Sequence, residues 1–313
     1  MSGRLRRFYK GSPRLRHATR AVKDAVLVGA VRFGLWAGGK LSLERALAIA
    51  DRVGGLLYRV LRDPRRLALA HIDLVYGDTL TPAAKTALIR AAFVNVARCF
   101  LEIVKIDEIR RRADSYVETS GWEHLQAFAD SGDGGIIITG HIGNWELLAA
   151  YCSWRGIPVA AVARRIYVRG LNELLVAYRA RQGVETILRE SPQAARQLLR
   201  TVRRGAVLAM VIDQDTNAPS VSVPFLGRAA RTPAGAASFA LRRELPVAAA
   251  FIQRRPQGGH RITILPPFAK PATGDQTEDV RQLTRAFNEA LETQILKNPA
   301  EWVWWHRRWR NPP

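Results

Sequence analysis

The chain has 313 residues, 48% of them hydrophobic, which supports a sizeable buried core and excludes global disorder. Its formal charge is +21, from 48 basic against 27 acidic residues, so its surface seeks polyanions: nucleic acid, an anionic membrane, a phosphorylated substrate or an acidic protein. The two cysteines, Cys99 and Cys152, lie far apart, which suits a reducing compartment and argues against a disulfide framework or a cysteine-based zinc site.

Eight basic residues between Arg4 and Lys23 precede the first acid, Asp24, and define a basic N-terminal tail over residues 1–24. Residues 25–39 are too short and too glycine-rich to read firmly as a bilayer span, which takes about 20 apolar residues. Residues 25–62 read as helical up to a break at Asp63-Pro64, with Leu43, Ala46, Leu47 and Ala50 on one stripe and further apolar surface from Leu56 to Leu61. That surface faces either a membrane or another helix. Two helices follow over 64–106, around a turn at 77–82 where Thr81 caps and Pro82 opens the second. Glu102, at the end of that second helix, reads as a solvated acid. Residues 25–115 are expected to form a helical region, membrane-associating on the first of those two readings.

From residue 116 onward strands and helices alternate. Branched apolar runs at 135–139, 158–162, 206–212, 246–252 and 261–265 read as strands; helices are expected at 122–130, 144–154, 170–182, 192–203, 233–243 and 278–296. This pattern predicts an α/β core over 116–313, with a mostly parallel or mixed central sheet flanked by helices. Residues 135–146, GIIITGHIGNWE, are the most informative stretch: a buried strand stops at Gly140, His141 follows, and Asn144 is placed to cap a helix carrying Trp145 and Glu146 in its first turn. An imidazole and a carboxylate at a strand exit sit where open α/β sheets bind ligands. His141 is the candidate general base and Glu146 its orienting acid. The chain has no G-x-S-x-G elbow, so the attacking hydroxyl would come from the substrate.

Four blocks in order, G-H-x-G-N-W-E from Gly140, Val162-Ala163-Arg164-Arg165, Ile212-Asp213-Gln214-Asp215 with Val223-Pro224-Phe225-Leu226-Gly227, and Trp304-Trp305-His306-Arg307-Arg308-Trp309-Arg310, resemble the motifs of the bacterial lipid A biosynthesis (late) acyltransferases of the lysophospholipid acyltransferase superfamily. With a weaker helical block at 74–106, the likeness spans about residues 40–311. Arg165 departs from it, standing where the family has proline. The resemblance implies a glycerol-3-phosphate acyltransferase-like fold with an N-terminal helical extension. It also implies transfer of a fatty acyl group from an acyl-acyl carrier protein thioester to a hydroxyl of a lipid A precursor or related glycolipid. A mannosylated phosphoinositide or a lysophospholipid is the alternative acceptor. Neither metal nor cofactor is implied.

On this reading His141 and Glu146 are catalytic, and Asn144, Arg164, Asp213, Gln214, Asp215 and Phe225 meet substrate: Arg164 at an acceptor phosphate, Phe225 along an acyl channel. Simpler roles stand beside these: a cap for Asn144, turn chemistry for 213–215, core packing for Phe225. Thr232 and Pro233 read as the cap and first residue of a helix, and Arg228 and Arg231 as possible anion ligands. Trp302, Trp304, Trp305 and Trp309, beside Arg307, Arg308 and Arg310, suit lipid headgroups, with single-stranded nucleic acid as the other chemistry. Expected partners are the acyl carrier protein donor, a phosphorylated glycolipid and an anionic membrane surface, with no nucleic acid. Expected placement is the inner (cytoplasmic) membrane, peripheral or held by one N-terminal anchor, with the catalytic domain facing the cytoplasm. The rival from another class is a basic nucleic-acid-binding protein, which leaves the ordered His, Arg and Asp blocks unexplained.

Overall fold

The computed structural model describes residues 13–309. Residues 1–12 of the expected basic tail lie outside that range. From Pro13 the chain is already helical, within the stretch read as a tail. Helices run α1 Pro13–Gly39, α2 Leu43–Val60, α3 Arg62–Tyr76, α4 Pro82–Val104, α5 Ile106–Arg111 and α6 Ala113–Tyr116. The predicted helix over 25–62 is therefore broken twice. Gly38 and Gly39 end α1, and Ser42 opens α2 by accepting a hydrogen bond from the Arg45 N–H. Asp63-Pro64 falls in the first turn of α3, where proline costs no hydrogen bond. Thr81 and Pro82 cap and open α4 as expected.

The α2 stripe of Leu43, Ala46 and Ala50 is buried. Helices α2 and α4 pack along each other, and Gly54 permits the close approach. A Cβ there would lie 2.4 Å from the Val94 Cα. The opposite side of α2 leaves Val53, Leu56, Leu57 and Val60 exposed, continuing the exposed Phe33 and Trp36 of α1. Among the described residues, no helix is long and apolar enough to cross a membrane.

The remaining elements alternate: β1 Val117–Ser120, α7 Trp122–Asp130, β2 Gly135–Thr139, α8 Trp145–Trp154, β3 Val159–Ala163, α9 Arg169–Arg181, β4 Val184–Leu188, α10 Ala194–Arg203, β5 Val207–Val211, β6 Ser220–Phe225, β7 Arg228–Pro233, α11 Gly235–Arg242, β8 Val247–Arg254, β9 His260–Ile264 and α12 Gln276–Lys297. Seven strands form one sheet in the order β1-β9-β8-β2-β5-β3-β4. The five from β8 to β4 are parallel, and the β8–β9 pairing is antiparallel, so the sheet is mixed. Strands β1 and β4 and the two-stranded β6–β7 ribbon were not anticipated. Thr232 and Pro233 end β7 rather than opening a helix, and the Thr232 hydroxyl accepts a hydrogen bond from Arg308 at 2.8 Å.

The sheet has apolar packing on both faces. Alternate side chains point to opposite sides. Ile137, Val159, Val207 and Ala250 pack beneath Leu148, Tyr151 and Cys152 of α8. Ile138, Met210, Ile212 and Phe251 pack with α10, α11 and α12. This second core also takes in Trp302, Trp304 and Trp309, which are 1%, 0% and 6% exposed. Three of the four C-terminal tryptophans expected at lipid headgroups are thus core residues, and Trp305 is half-buried against Phe93. Arg308 is buried with them, its guanidinium 4.1 Å from the Phe225 ring centre, and burial pushes its pKa down to about 10. Arg310 lies outside the described residues.

Replacing Gly54 with valine should force α2 and α4 apart. Overpacking of this kind costs about 1–3 kcal/mol, which for a chain this size lowers the melting temperature by roughly 3–10 °C. Calorimetry on wild type and Gly54→Val checks this; an unchanged transition would contradict the close-packed helix pair.

Candidate active site

His141 leaves the C-terminal end of β2, and Asp213 stands just past the end of β5, the neighbouring strand. Asp213 is 0% exposed and satisfies its carboxylate with three donors. Its Oδ1 accepts from His141 Nδ1 at 2.7 Å, and its Oδ2 accepts from the His141 backbone N–H at 2.7 Å and the Trp302 indole N–H at 2.8 Å. Burial alone would raise its pKa, but the facing imidazoles of His141 and His306 and the hydrogen bonds from His141 and Trp302 outweigh it. They hold the carboxyl well below the usual range. An ionised carboxylate only accepts, so His141 carries its proton on Nδ1 and keeps Nε2 as a base.

Two further groups bracket this ring. His306 lies against it edge-on, with ring centres 4.6 Å apart, and Trp145 packs edge-on at 4.8 Å. Burial, reinforced by His141, pushes the His306 pKa down to about 3. The Gln214 amide bridges the imidazoles, 2.5 Å from His306 Nδ1 and 3.3 Å from His141 Nε2.

The expected His141–Glu146 pair is replaced by two others. Glu146 accepts two hydrogen bonds from the Arg179 guanidinium, at 2.9 and 2.6 Å, while Asp213 takes the imidazole. The physical reason is position: Glu146 is in the first turn of α8, facing α9, and the end of β5 lies beside the ring. Arg179 was not singled out from the sequence; it is one arginine among many on a polar helix.

Asn144 does not reach the cavity. Its Oδ1 caps α8 through the Leu147 N–H at 3.1 Å, and its Nδ2 donates to Glu102 Oε2 at 2.8 Å. Phe225 is 0% exposed and packs against Trp302 and Trp309, so it is core and not channel wall. Glu102, expected in solvent, is also 0% exposed. It binds Arg254 through both oxygens at 2.6 and 3.0 Å, and also pairs with His260 at 2.9 Å and the Tyr116 hydroxyl at 2.8 Å. Burial opposes its charge, but His260 and Arg254 keep its pKa low. No spacing rule links residues 102, 116, 254 and 260; only the fold brings them together.

The loop that carries His141 is clamped from the far side. Ile142 bridges Trp302, and Gly143 donates its N–H to the Glu301 carbonyl at 2.9 Å. Gly143 has φ +58°, and a Cβ there would sit 1.9 Å from the Ile252 carbonyl oxygen, so only glycine fits.

His141, Glu146, Arg164, Gln214 and Asp215 all line one cavity of about 1420 Å³, with Asp213 buried behind His141. The cavity straddles the ends of β3 and β5 and reaches both faces of the sheet. One arm runs under α8, between Ala149, Ala161, Ala209 and Ala250, to Leu125, Cys152, Val159 and Val207. The other runs between Val162, Ile187, Met210 and Ile212 of the sheet and Leu198 and Phe239 of α10 and α11. Arg164 and Arg189 stand at the junction, each paired with Glu190, at 3.9 and 3.2 Å. Asp215 faces Arg231 at 3.8 Å. Burial raises the Cys152 pKa to about 12, so this thiol in the first arm is not a nucleophile. Among the described residues, no cluster of three or more metal-ligating side chains occurs.

Residues 10–311 match the family of bacterial lipid A biosynthesis acyltransferases. The chain belongs to that family. It is an acyltransferase, and its acceptor is a lipid. Among curated relatives, a phosphatidylinositol mannoside acyltransferase of Mycolicibacterium smegmatis is 24% identical over 226 residues, covering 71% of this chain and 72% of that protein. A protein of the same name from Mycobacterium tuberculosis H37Rv is 23% identical over 235 residues, covering 72% of each. Among solved structures, the 1-acyl-sn-glycerophosphate acyltransferase PlsC of Thermotoga maritima aligns over 75% of this chain and 99% of its own, at 15% identity and a TM-score of 0.33.

Glu301 provides a pH-dependent test of the clamp. Burial raises its carboxyl to about 7, while its oxygens accept the Arg254 backbone N–H at 3.0 and 3.1 Å. Between the ordinary carboxylate value of about 4.3 and about 7, the folded state holds a proton that the unfolded state has released. Stability from this group is therefore full below that window and falls as pH rises through it, by about 3 kcal/mol in all. Melting temperatures of wild type should drop between pH 5 and pH 7.5, and Glu301→Gln should flatten that slope. Parallel curves for the two proteins would exclude the shift.

Proposed function

We propose that the protein transfers a fatty acyl group from an acyl-acyl carrier protein thioester to a hydroxyl of a phosphorylated glycolipid, with His141 as general base and Asp213 as its orienting acid. The observation that carries this reading is the His141–Asp213 pair at the junction of an apolar two-armed cavity, with His141 Nε2 left outside the carboxylate contact.

In the proposed step, His141 Nε2 takes the hydroxyl proton as the acceptor oxygen bonds to the thioester carbonyl carbon. Asp213 stays ionised and stabilises the imidazolium. The tetrahedral oxyanion faces the first turn of α8, whose dipole favours negative charge, with Arg164 as a second source of positive field. Collapse breaks the carbon–sulfur bond, and the thiolate recovers the proton from the imidazolium. The products are an ester and the free carrier thiol; no protein nucleophile and no cofactor enter. Glu146 acts through Arg179, tying α8 to α9 across the cavity wall.

The arm under α8 suits the donor acyl chain. Its lining is apolar and rich in alanine, and the four residue steps from Val211 back to Val207 give it a depth of about 13 Å. Arg164 and Arg189 at the mouth suit the acceptor phosphate. Both the lipid A precursor and the mannosylated phosphoinositide named by the relatives meet this description, and the relatives favour the second. The exposed apolar side of α1 and α2, beside exposed Arg52, Arg59 and Arg62, suits peripheral seating on an anionic membrane.

With a labelled acyl thioester and each glycolipid, His141→Ala should abolish transfer. Asp213→Asn should lower kcat by about 10³–10⁴-fold with the fold intact, as loss of the orienting acid does in a comparable triad. Near-normal kcat in Asp213→Asn would exclude the dyad. Replacing Leu56 and Trp36 with serine should weaken binding to phosphatidylglycerol-containing vesicles in a flotation assay; unchanged flotation would remove this face as the membrane contact.

A further inference from the structure

Helix α10 presents a charged stripe that the step described above does not use. From Ser191 to Arg204 the chain has no acidic residue. Arg196, Arg200 and Arg203 fall at i, i+4 and i+7, so they share one face, opposite Ala194, Leu198 and Val202, which pack in the second core. All three are exposed, as are Arg242 and Arg243 at the end of α11. Arg203 and Arg243 line one pocket between the two helices, and its two acids, Asp133 and Glu244, pair with neither. Among the described residues none of the five arginines has an ion-pair partner, whereas the flanking Arg189 and Arg204 are matched to Glu190 and Glu185. Unmatched guanidinium groups at this spacing raise the local positive potential and attract an anionic partner.

Position selects the partner. Ala194 and Ala195, in the first turn of α10, line the cavity that holds His141, and so does Arg242. The stripe begins beside that rim and extends about 10 Å along the helix. Two turns of helix match the acidic face of a small protein better than a single phosphate. Placement argues against lipid: α1, with its exposed Phe33 and Trp36, rests on α9, which is tied to α8 on the opposite face of the sheet. Chemistry argues against nucleic acid, since no exposed aromatic side chain stands among these arginines to stack on a base. The cavity lining also includes Thr216, Asn217 and Ser238, polar partners for the amides of a carrier's thiol arm.

We infer that the stripe of Arg196, Arg200 and Arg203, extended by Arg242 and Arg243, is the docking surface for an acidic acyl carrier protein. The carrier's thiol arm enters past the first turn of α10, the thioester stands at the junction beside His141, and the acyl chain continues under α8. This rests on the proposed acyl transfer and deepens it: donor protein and membrane engage different faces, so both can be bound at once.

The test uses the full chain and two donors that differ only in the protein attached, decanoyl-acyl carrier protein and decanoyl-pantetheine, with a phosphatidylinositol dimannoside or a lipid A precursor as acceptor. Wild type should show a KM for the carrier-bound donor at least about tenfold below that for the free thioester, and this KM should rise with salt. A triple charge reversal, Arg196→Glu with Arg200→Glu and Arg203→Glu, should raise the carrier KM at least about tenfold and leave the decanoyl-pantetheine KM where it was. Isothermal titration with the unloaded carrier should show a Kd weakened by a similar factor; this reads the surface even where turnover is lost. An unchanged carrier KM and Kd in the variant would overturn the inference. So would an equal rise for both donors, which would place the arginines in the working of the cavity itself, or lost flotation on phosphatidylglycerol-containing vesicles with the carrier KM unmoved, which would assign the stripe to lipid. Absence of turnover by wild type with either donor and either acceptor would instead sink the proposed function itself.

Discussion

One buried carboxylate organises the site. Asp213 has no solvent contact, so its charge persists only because three N–H donors converge on it, two of them from His141. Those donors belong to different parts of the chain. The imidazole and its own backbone come from the β2 exit, and the indole comes from the C-terminal segment. The same contacts fix the tautomer and the direction of the base. Removing the carboxylate frees a ring, a backbone N–H and a buried indole at once, and leaving such groups unpaired costs more than a single hydrogen bond is worth.

A second buried cluster, around Glu102 and Arg254, performs a mechanical task. Buried ion pairs add little net stability, because desolvation offsets attraction. What this one contributes is register: Glu102 from α4 holds Asn144, which caps α8, and Arg254 from β8 holds Asn95 and Glu102 of α4. The helical N-terminal region is thereby bolted to the loop that carries His141. Breaking one partner would strand a charge in the interior, which explains why each carboxylate oxygen has at least two donors.

The sequence shows those parts of the fold whose causes are local. Strand β2, the Thr81–Pro82 cap and the helices after residue 122 follow from periodicity, capping residues and proline, and they stand where those signals place them, to within a residue or two. His141 was legible as a strand-exit imidazole. Its partner was not, because two acids, Glu146 and Asp213, had equally good chemistry, and the nearer in sequence pairs with Arg179 instead of the imidazole. Strand β4 carries Glu185 and Thr186 within its short apolar run and so lacks a clean signal. The tryptophan-rich C-terminus misled for a related reason: aromatic and arginine side chains together fit a wet interface, yet Arg308 is buried, donates to the Arg231 carbonyl and the Thr232 hydroxyl, and lies over the Phe225 ring.

The strong positive charge acquires a narrower meaning once the buried pairs are removed from it. Arg179, Arg254 and Arg308 serve the interior: two answer buried carboxylates and the third a carbonyl and a hydroxyl. Arg164 and Arg189 share one acid, Glu190, at the cavity mouth, so that edge keeps a net positive field where an anionic headgroup would enter. Two cations on one carboxylate are poised for exchange: a phosphate can take one guanidinium fork without leaving Glu190 unpaired, at smaller cost than opening a one-to-one salt bridge. The apolar arms supply no such discrimination, since hydrocarbon binds hydrocarbon with little regard to identity. On the proposed reading, selection between phosphorylated acceptors would fall to this arginine pair, and selection by chain length to the alanine-lined walls of the arm under α8.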